Sequence, residues 1–376
     1  MKPKVLHIFS GYGGGISSLI LNLVENSYQY VDYTLLAFSY EGGDAFKERL
    51  RNVGSKLLLM SRPRIEGFTG FVQSVKRVFE ENHYDAVHCH IDAWPMIIFR
   101  LIANKYGVKT FIVHAHKTLY EKRIDRVFRF VNRSINRLFS TNYMTCSRWA
   151  AEYLFGRHFL KKRKAYLIPN GINESIFREK ITQEDQHKYN CEFNVSEKEL
   201  VIAHVGRFNE QKNHGFILNL ASKLIDDQFS FKLLLIGDGE LLESMQGLSQ
   251  KMNLSNHVVF LGRRLDVSKI MQYADLLILP SLWEGLPTVA VECQASGTPM
   301  VLADTITPEC DMGLDLVNFL PLDISIWSNY IEAFESHKVP ILDSLQRICE
   351  NSFTAQSSGL LYSKILIKII NDNNKK

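Results

Sequence analysis

The chain has 376 residues, 46% of them hydrophobic and 22% charged, which is longer than one ordinary core and too apolar for general disorder. A single small module, a fibre and a disordered tail are excluded. The net charge of +4 hides an asymmetry: residues 1–175 hold 26 Lys and Arg against 14 Asp and Glu, the remainder 18 against 26, so a basic half suited to an anionic partner precedes an acidic one.

Taken in chain order, short apolar runs rich in β-branched residues predict strands at 5–9, 33–38, 56–60, 85–89, 110–113 and 143–146. A second series follows at 200–205, 232–236, 258–261, 276–279 and 300–303. Helix-length amphipathic stretches between them predict an α/β fold with two doubly wound parallel sheets. The turn-rich run Ile168-Pro169-Asn170-Gly171-Ile172 and the polar stretch 179–199 put the joint near residue 175, giving expected domains 1–175 and 176–352. Residues 357–370 read as a final helix and 371–376 as a polar, low-complexity end.

No apolar run reaches the ~18–20 residues of a membrane-spanning helix, and the opening apolar run is too short for a secretory signal. The six cysteines lack C-x-x-C spacing. A cytoplasmic protein is expected, peripheral at the inner face of the cell membrane. The helical stretch 122–138 supports the membrane contact: Lys122, Arg126, Arg129, Arg133 and Arg137 form one stripe, and Ile124, Val127, Phe128, Val131, Ile135 and Leu138 the opposite one. The apolar stripe is expected to face the core and the cations solvent. With Lys161-Lys162-Arg163-Lys164 close behind, residues 117–164 carry 13 basic against 3 acidic side chains, a surface for anionic lipid or a lipid diphosphate. No nucleic-acid-binding motif accompanies the charge, so nucleic acid is not an expected partner.

Gly13-Gly14-Gly15 separates the first strand from the first helix, where backbone can approach an anion. Neither G-x-G-x-x-G nor a P-loop is present, which disfavours hydride transfer and ATP hydrolysis. The strand 110–113 leads into His114-Ala115-His116, and either imidazole suits a hydrogen bond to a hydroxyl or the taking of its proton. His88 and His90 share a strand face by the same spacing, but with no third ligand apparent a metal is not expected.

Arg207 and Lys212 lie in the loop after the strand 200–205, where two cations can neutralise a nucleotide diphosphate. Residues 280–292 form a turn and a helix with Pro287 expected as its first residue, leaving the N–H groups of Thr288 and Val289 to cap a phosphate. Glu284 precedes this helix and Glu292 lies within it. The absence of any D-x-D agrees with stabilising the leaving group by cations and amides rather than bound Mg²⁺.

The E-x7-E pair Glu284 and Glu292, the G-R-x4-K loop of Arg207 and Lys212, the I-P-N-G-I segment and the N-terminal glycines together resemble glycosyltransferase family 4 across essentially the whole chain, with the look of bacterial capsular and exopolysaccharide enzymes. The resemblance implies a GT-B fold: two Rossmann-like domains facing a central cleft, with 353–376 as a helix crossing back to the first. It also implies metal-independent, retaining transfer from a nucleotide sugar, expected to be a UDP-sugar, to a lipid-diphosphate-linked or saccharide acceptor. In that family Glu292 would hold the ribose hydroxyls, Glu284 the donor sugar, and Arg207 with Lys212 the diphosphate. Gly14 and Gly15 would close over the distal phosphate, Arg263 would lie beside the base, and His114, with His116 in competition, would stand near the acceptor. Pro287 departs from the family, which carries glycine there. A nucleotide-sugar epimerase and a non-catalytic sugar-nucleotide-binding assembly partner are the alternatives.

Overall fold

The computed structural model describes residues 2–11, 15–38, 44–92, 94–116, 118 and 125–375. It divides into two compact units, Met1–Gly171 with Ser352–Lys376 and Ile172–Asn351. Each is an α/β unit on one parallel sheet. In the first, β1 (Lys4–Phe9), β2 (Asp32–Ala37), β3 (Lys56–Leu59), β4 (Ala86–Cys89), β5 (Thr110–Ala115), β6 (Asn142–Thr145) and β7 (Ala165–Leu167) lie in the order β3-β2-β1-β4-β5-β6-β7. In the second, β8 (Leu200–Val205), β9 (Phe231–Ile236), β10 (Val258–Gly262), β11 (Leu276–Leu279), β12 (Met300–Ala303) and β13 (Val317–Leu320) lie in the order β10-β9-β8-β11-β12-β13. Central strands such as β4, β9, β11 and β12 are buried along their whole length, which is why their sequences read as continuous apolar runs rather than alternating ones. Strand order reverses between β1 and β4 and again between β8 and β11. The carboxyl ends of the strands at such switch points are where open α/β sheets bind ligands.

The helix Ala355–Asn374 returns to the first unit, and its Tyr362, Leu366, Ile369 and Ile370 join a core with Val5, Leu35 and Ile112. It runs past residue 370, so the polar end expected to be low-complexity is helical through Asn374. Two short edge strands, β7 and β13, were not expected from the sequence; no residue of either is fully buried, so neither carries the continuous apolar run that marks equally short central strands. The polar stretch read as a joint contains a helix, Gln183–Phe193, started by a reciprocal capping box between Thr182 and Asp185 and held by buried Tyr189 and Phe193.

The largest correction concerns the basic amphipathic stretch. It is helical from Asp125 to Phe139, but the stripes face the opposite way from expectation. Arg133 donates to the carbonyls of Tyr153 (2.8 Å) and Glu152 (2.9 Å), and Arg137 to that of Phe155 (2.6 Å) while lying over the Phe159 ring. Arg129 lies over Tyr153. Arg133 and Arg137 thus cap the carbonyl end of the neighbouring helix Arg148–Phe155, where the helix runs out of its own donors and Gly156 N–H serves only Glu152 O, at 2.9 Å. Val127, Phe128, Phe130, Val131 and Leu138 are left exposed, Leu138 by 80%. Lys122 lies outside the described residues, and Arg126 is placed only as part of the helix backbone.

Candidate functional site

In the second unit, the loops after β8 and β11 meet at the switch point. Gly206 N–H bonds to Ile236 O at 3.0 Å and Phe208 N–H to Asp238 O at 2.7 Å, which ties the first loop to the Gly237-Asp238-Gly239 turn. Gly237 has φ +140°, and a Cβ there would collide with Gly206 O, so the turn requires glycine on both counts. Asn209 caps the short 3₁₀ turn Glu210–Lys212, and Leu282 N–H bonds to Gln211 O at 2.8 Å, joining the two loops.

At this junction Lys212 Nζ donates to Glu284 Oε1 at 2.6 Å, and Gln211 Nε2 donates to Glu284 Oε2 at 3.0 Å and to Trp283 O at 2.9 Å. Glu284 is 6% exposed, so this is a largely desolvated ion pair with both carboxylate oxygens engaged. The helix Thr288–Ala295 begins one residue later than expected: Pro287 is its extended N-cap, and Thr288 and Val289 are its first two residues, whose N–H groups lack helical acceptors. Glu292 is half-buried on the same helix; burial pushes its carboxyl up to about 7, with the nearby Lys212 charge pulling the other way. Arg207 is exposed. Arg263 pairs with Asp238 at 2.5 Å, both largely in solvent. The structure thus brings Lys212, Glu284 and the helix start together. Gln211 was missed, since nothing in its residue type distinguishes it from any loop glutamine.

In the first unit the switch point carries histidines. His7 and His88 are register partners on β1 and β4, His114 is the penultimate residue of β5, and His90 and His116 follow their strands on the same face by period-2 spacing. His90, His114 and His116 line one cavity with Ser10, Asp92 and Tyr153. His7, His88, His90 and His114 are all at most 8% exposed, and burial lowers their pKa values, that of His7 to about 3, so the rings are neutral. His114 and His116 stack at 4.0 Å between centroids. The expectation that His88 and His90 lack a third ligand is corrected: ligand atoms of His7, His88 and His90, and those of His90, His114 and His116, lie within 4.8 Å of one another. Each trio has the neutral imidazole donors that suit a divalent transition metal. Only the strand order β1-β4-β5 reveals this. Gly15 opens the helix Gly15–Glu25, while Gly14 lies outside the described residues.

The family described as Glycosyltransferase Family 4 matches residues 13–176, and that described as Glycosyl transferases group 1 matches residues 185–318. The chain is 33% identical over 341 residues to the Bacillus subtilis (strain 168) protein named as the glycosyltransferase EpsF, covering 88% of this chain and 87% of that one. It is 25% identical over 277 residues to the Escherichia coli UDP-Gal:alpha-D-GlcNAc-diphosphoundecaprenol alpha-1,3-galactosyltransferase, covering 72% and 69%. Among solved structures, a glycosyltransferase of Rickettsia africae superposes with a TM-score of 0.74 at 16% identity, covering 100% of this chain and 99% of that one. Anabaena HepE in complex with UDP superposes with 0.70 at 16% identity and the same coverage.

Proposed function

The chain belongs to glycosyltransferase family 4, and on that premise we propose that it transfers a sugar with retention from a UDP-sugar to a lipid-diphosphate-linked or saccharide acceptor in bacterial capsular or exopolysaccharide assembly. The chain is a glycosyltransferase of GT-B type with two parallel-sheet α/β domains. The observation that carries the finer reading is the junction of Lys212, Gln211 and Glu284 in front of the helix Thr288–Ala295. A diphosphate at this helix start meets N–H groups, the positive end of the helix dipole and the cations Lys212 and Arg207. Glu284 is assigned to the donor sugar hydroxyls and Glu292 to the ribose. Both Glu284 oxygens are already hydrogen-bonded, which blunts it as a nucleophile and favours attack by the acceptor on the face the diphosphate leaves. The galactosyltransferase relative, whose name gives a UDP-sugar donor and a diphosphoundecaprenol-linked acceptor, supports both substrate classes.

His114 is assigned to the acceptor side, as the ring that takes the proton from the attacking hydroxyl; it lines the cavity at the first unit's switch point. Membrane contact is assigned to the exposed apolar face of the helix Asp125–Phe139, together with exposed Lys161, Lys162, Arg163 and Lys164 of the same unit. That arrangement fits a helix lying in an anionic lipid interface. Among the described residues, no helix is long and apolar enough to cross a membrane.

A thermal-shift panel of UDP, GDP, ADP and several UDP-sugars, run with EDTA and again with Mg²⁺, tests the donor site. Stabilisation by UDP and one UDP-sugar in EDTA is expected. No shift with any nucleotide would remove the assignment.

A further inference from the structure

Two hydrogen-bonded arms of histidines meet at one hydroxyl, that of fully buried Tyr362 on the returning helix. In the first arm, Tyr362 Oη lies 3.1 Å from His7 Nε2, His7 Nδ1 lies 3.0 Å from His90 Nε2, and His90 Nδ1 lies 2.7 Å from His116 Nε2. In the second, Tyr362 Oη lies 2.8 Å from His88 Nδ1, and His88 Nε2 lies 3.1 Å from His114 Nδ1. His114 Nε2 is buried with no hydrogen-bond partner among the described residues. The outer ends of both arms, His114 and His116, line the same cavity.

Proton counting constrains this network. A neutral imidazole has one N–H, so a ring that accepts at one nitrogen donates at the other, and a phenol has one proton to give. If Tyr362 donates to His7, then His7 donates to His90 and His90 to His116. His88 then donates to Tyr362 and His114 Nδ1 to His88, which leaves His114 Nε2 a bare lone pair. If Tyr362 donates to His88 instead, every bond reverses and His114 Nε2 carries a proton. The outer nitrogens of the two arms are therefore in opposite states: when His114 Nε2 is bare, His116 Nδ1 is protonated, and the reverse. The same count weighs against a metal held by His90, His114 and His116. Both arms would then donate inward, and the Tyr362 proton would have no acceptor in either arm.

We propose that Tyr362 joins the two arms into one proton relay, in which His114 Nε2 takes the acceptor hydroxyl's proton while His116 Nδ1 gives one up to water. Six groups take part and five protons each shift one hydrogen bond: His114 to His88, His88 to Tyr362, Tyr362 to His7, His7 to His90 and His90 to His116. One proton enters, one leaves, and no electrons are gained or lost. The acceptor oxygen forms its bond to the sugar's anomeric carbon as the bond from that carbon to the diphosphate breaks. The reverse shift, with water at both ends, resets the network after product has left. The relay resolves a conflict in the site, because a lone buried imidazole resists becoming a cation. Within the relay, His114 accepts a proton and stays neutral. Tyr362 acts through His114 and is a positioning residue.

The inference rests on the assignment of His114 as proton acceptor, and the test separates the two. In the full-length enzyme, Tyr362→Phe removes only the hydroxyl between the arms. The expected result is a fall in kcat of about 10-fold or more with donor KM within about twofold, a drop from the size general acid–base catalysis supplies. A proton inventory of kcat in H₂O/D₂O mixtures should change from a curved, many-proton form to a linear, one-proton form. ¹⁵N spectra of the histidines should show one shared tautomer, Nδ1–H or Nε2–H, in all five rings of the wild type and lose that correlation in the variant. His7→Gln, which breaks the first arm elsewhere, should reproduce these changes if Tyr362→Phe folds poorly. Wild-type kcat and an unchanged inventory in both variants, with His114→Ala inactive, would overturn the relay alone. Full activity of His114→Ala would overturn the assignment on which it rests. One equivalent of zinc bound at the arms and raising turnover would also overturn the relay.

Discussion

Lys212 Nζ donates to Glu284 Oε1 at 2.6 Å, with the two side chains 13% and 9% exposed. These residues come from two different loops, and the family resemblance implies contacts with different parts of the donor. Their pairing makes each the other's positioning group, and Gln211 holds the second carboxylate oxygen. Glu284→Gln keeps the shape and removes the charge. Transfer is expected to fall about 100-fold, the size of losing one transition-state contact, while UDP affinity changes by less than about threefold. Lys212→Met leaves a buried carboxylate without its cation, so it should lower both UDP affinity and Tm. Calorimetric titration with UDP beside initial-rate assays checks the pair; unchanged turnover in Glu284→Gln would take that residue off the donor sugar.

Burial pushes the Glu292 carboxyl up to about 7 from an ordinary 4.5. The folded chain therefore binds this proton more tightly than the unfolded chain. Its stabilising contribution is complete below the unfolded value, is lost as pH rises toward about 7, and changes no further above that. Wild-type Tm should fall over this window, and Glu292→Gln, which mimics the protonated acid, should flatten that part of the profile. Parallel Tm curves for the two proteins from about pH 4 to 8 would show that Glu292 does not titrate there.

The helix Asp125–Phe139 gives opposite predictions for its two faces. Arg137→Ala removes the donor to Phe155 O and should cost about 1–3 kcal/mol of stability, as for other stranded backbone groups, read as a lower Tm. Phe128→Ser with Leu138→Ser should leave Tm nearly unchanged, since both side chains are already in solvent, and should weaken binding to vesicles containing anionic lipid. Sedimentation with such vesicles decides the second point, and wild-type binding by the double variant would sink the membrane assignment.

Gly237→Ala places a methyl group against Gly206 O at a backbone angle that L residues rarely adopt. A stability loss of about 1–3 kcal/mol is expected from the strain alone. Because the same turn holds Phe208 N–H through Asp238 O, the Arg207 loop should shift and UDP affinity should fall as well. A variant with native Tm and native UDP binding would contradict this account of the turn.

Much of the fold was legible locally. Apolar runs such as those that became β1, β9 and β11 mark buried parallel strands because both faces of such a strand meet helices. The loop Arg207–Lys212 and the turn before Thr288 were legible because glycine, proline and charge patterns act over a few residues. The helix Gln183–Phe193 was hidden by its polar surface, although Thr182 and Asp185 carried the signal of its start.

The sequence by itself determined that residues 125–139 have two stripes, since helical periodicity is local, but not which stripe meets the protein. The carbonyl end of Arg148–Phe155 decided that, because a guanidinium can satisfy carbonyls that an apolar side chain cannot. The histidine pairs were likewise visible as period-2 spacings on separate strands. Their union was decided by the strand order β1-β4-β5 and by the last helix, which brings Tyr362 to His7 across 355 positions of chain. A hydrogen-bond network is a property of positions in space, and no local pattern encodes a contact made only after both ends of the chain have packed on the same sheet.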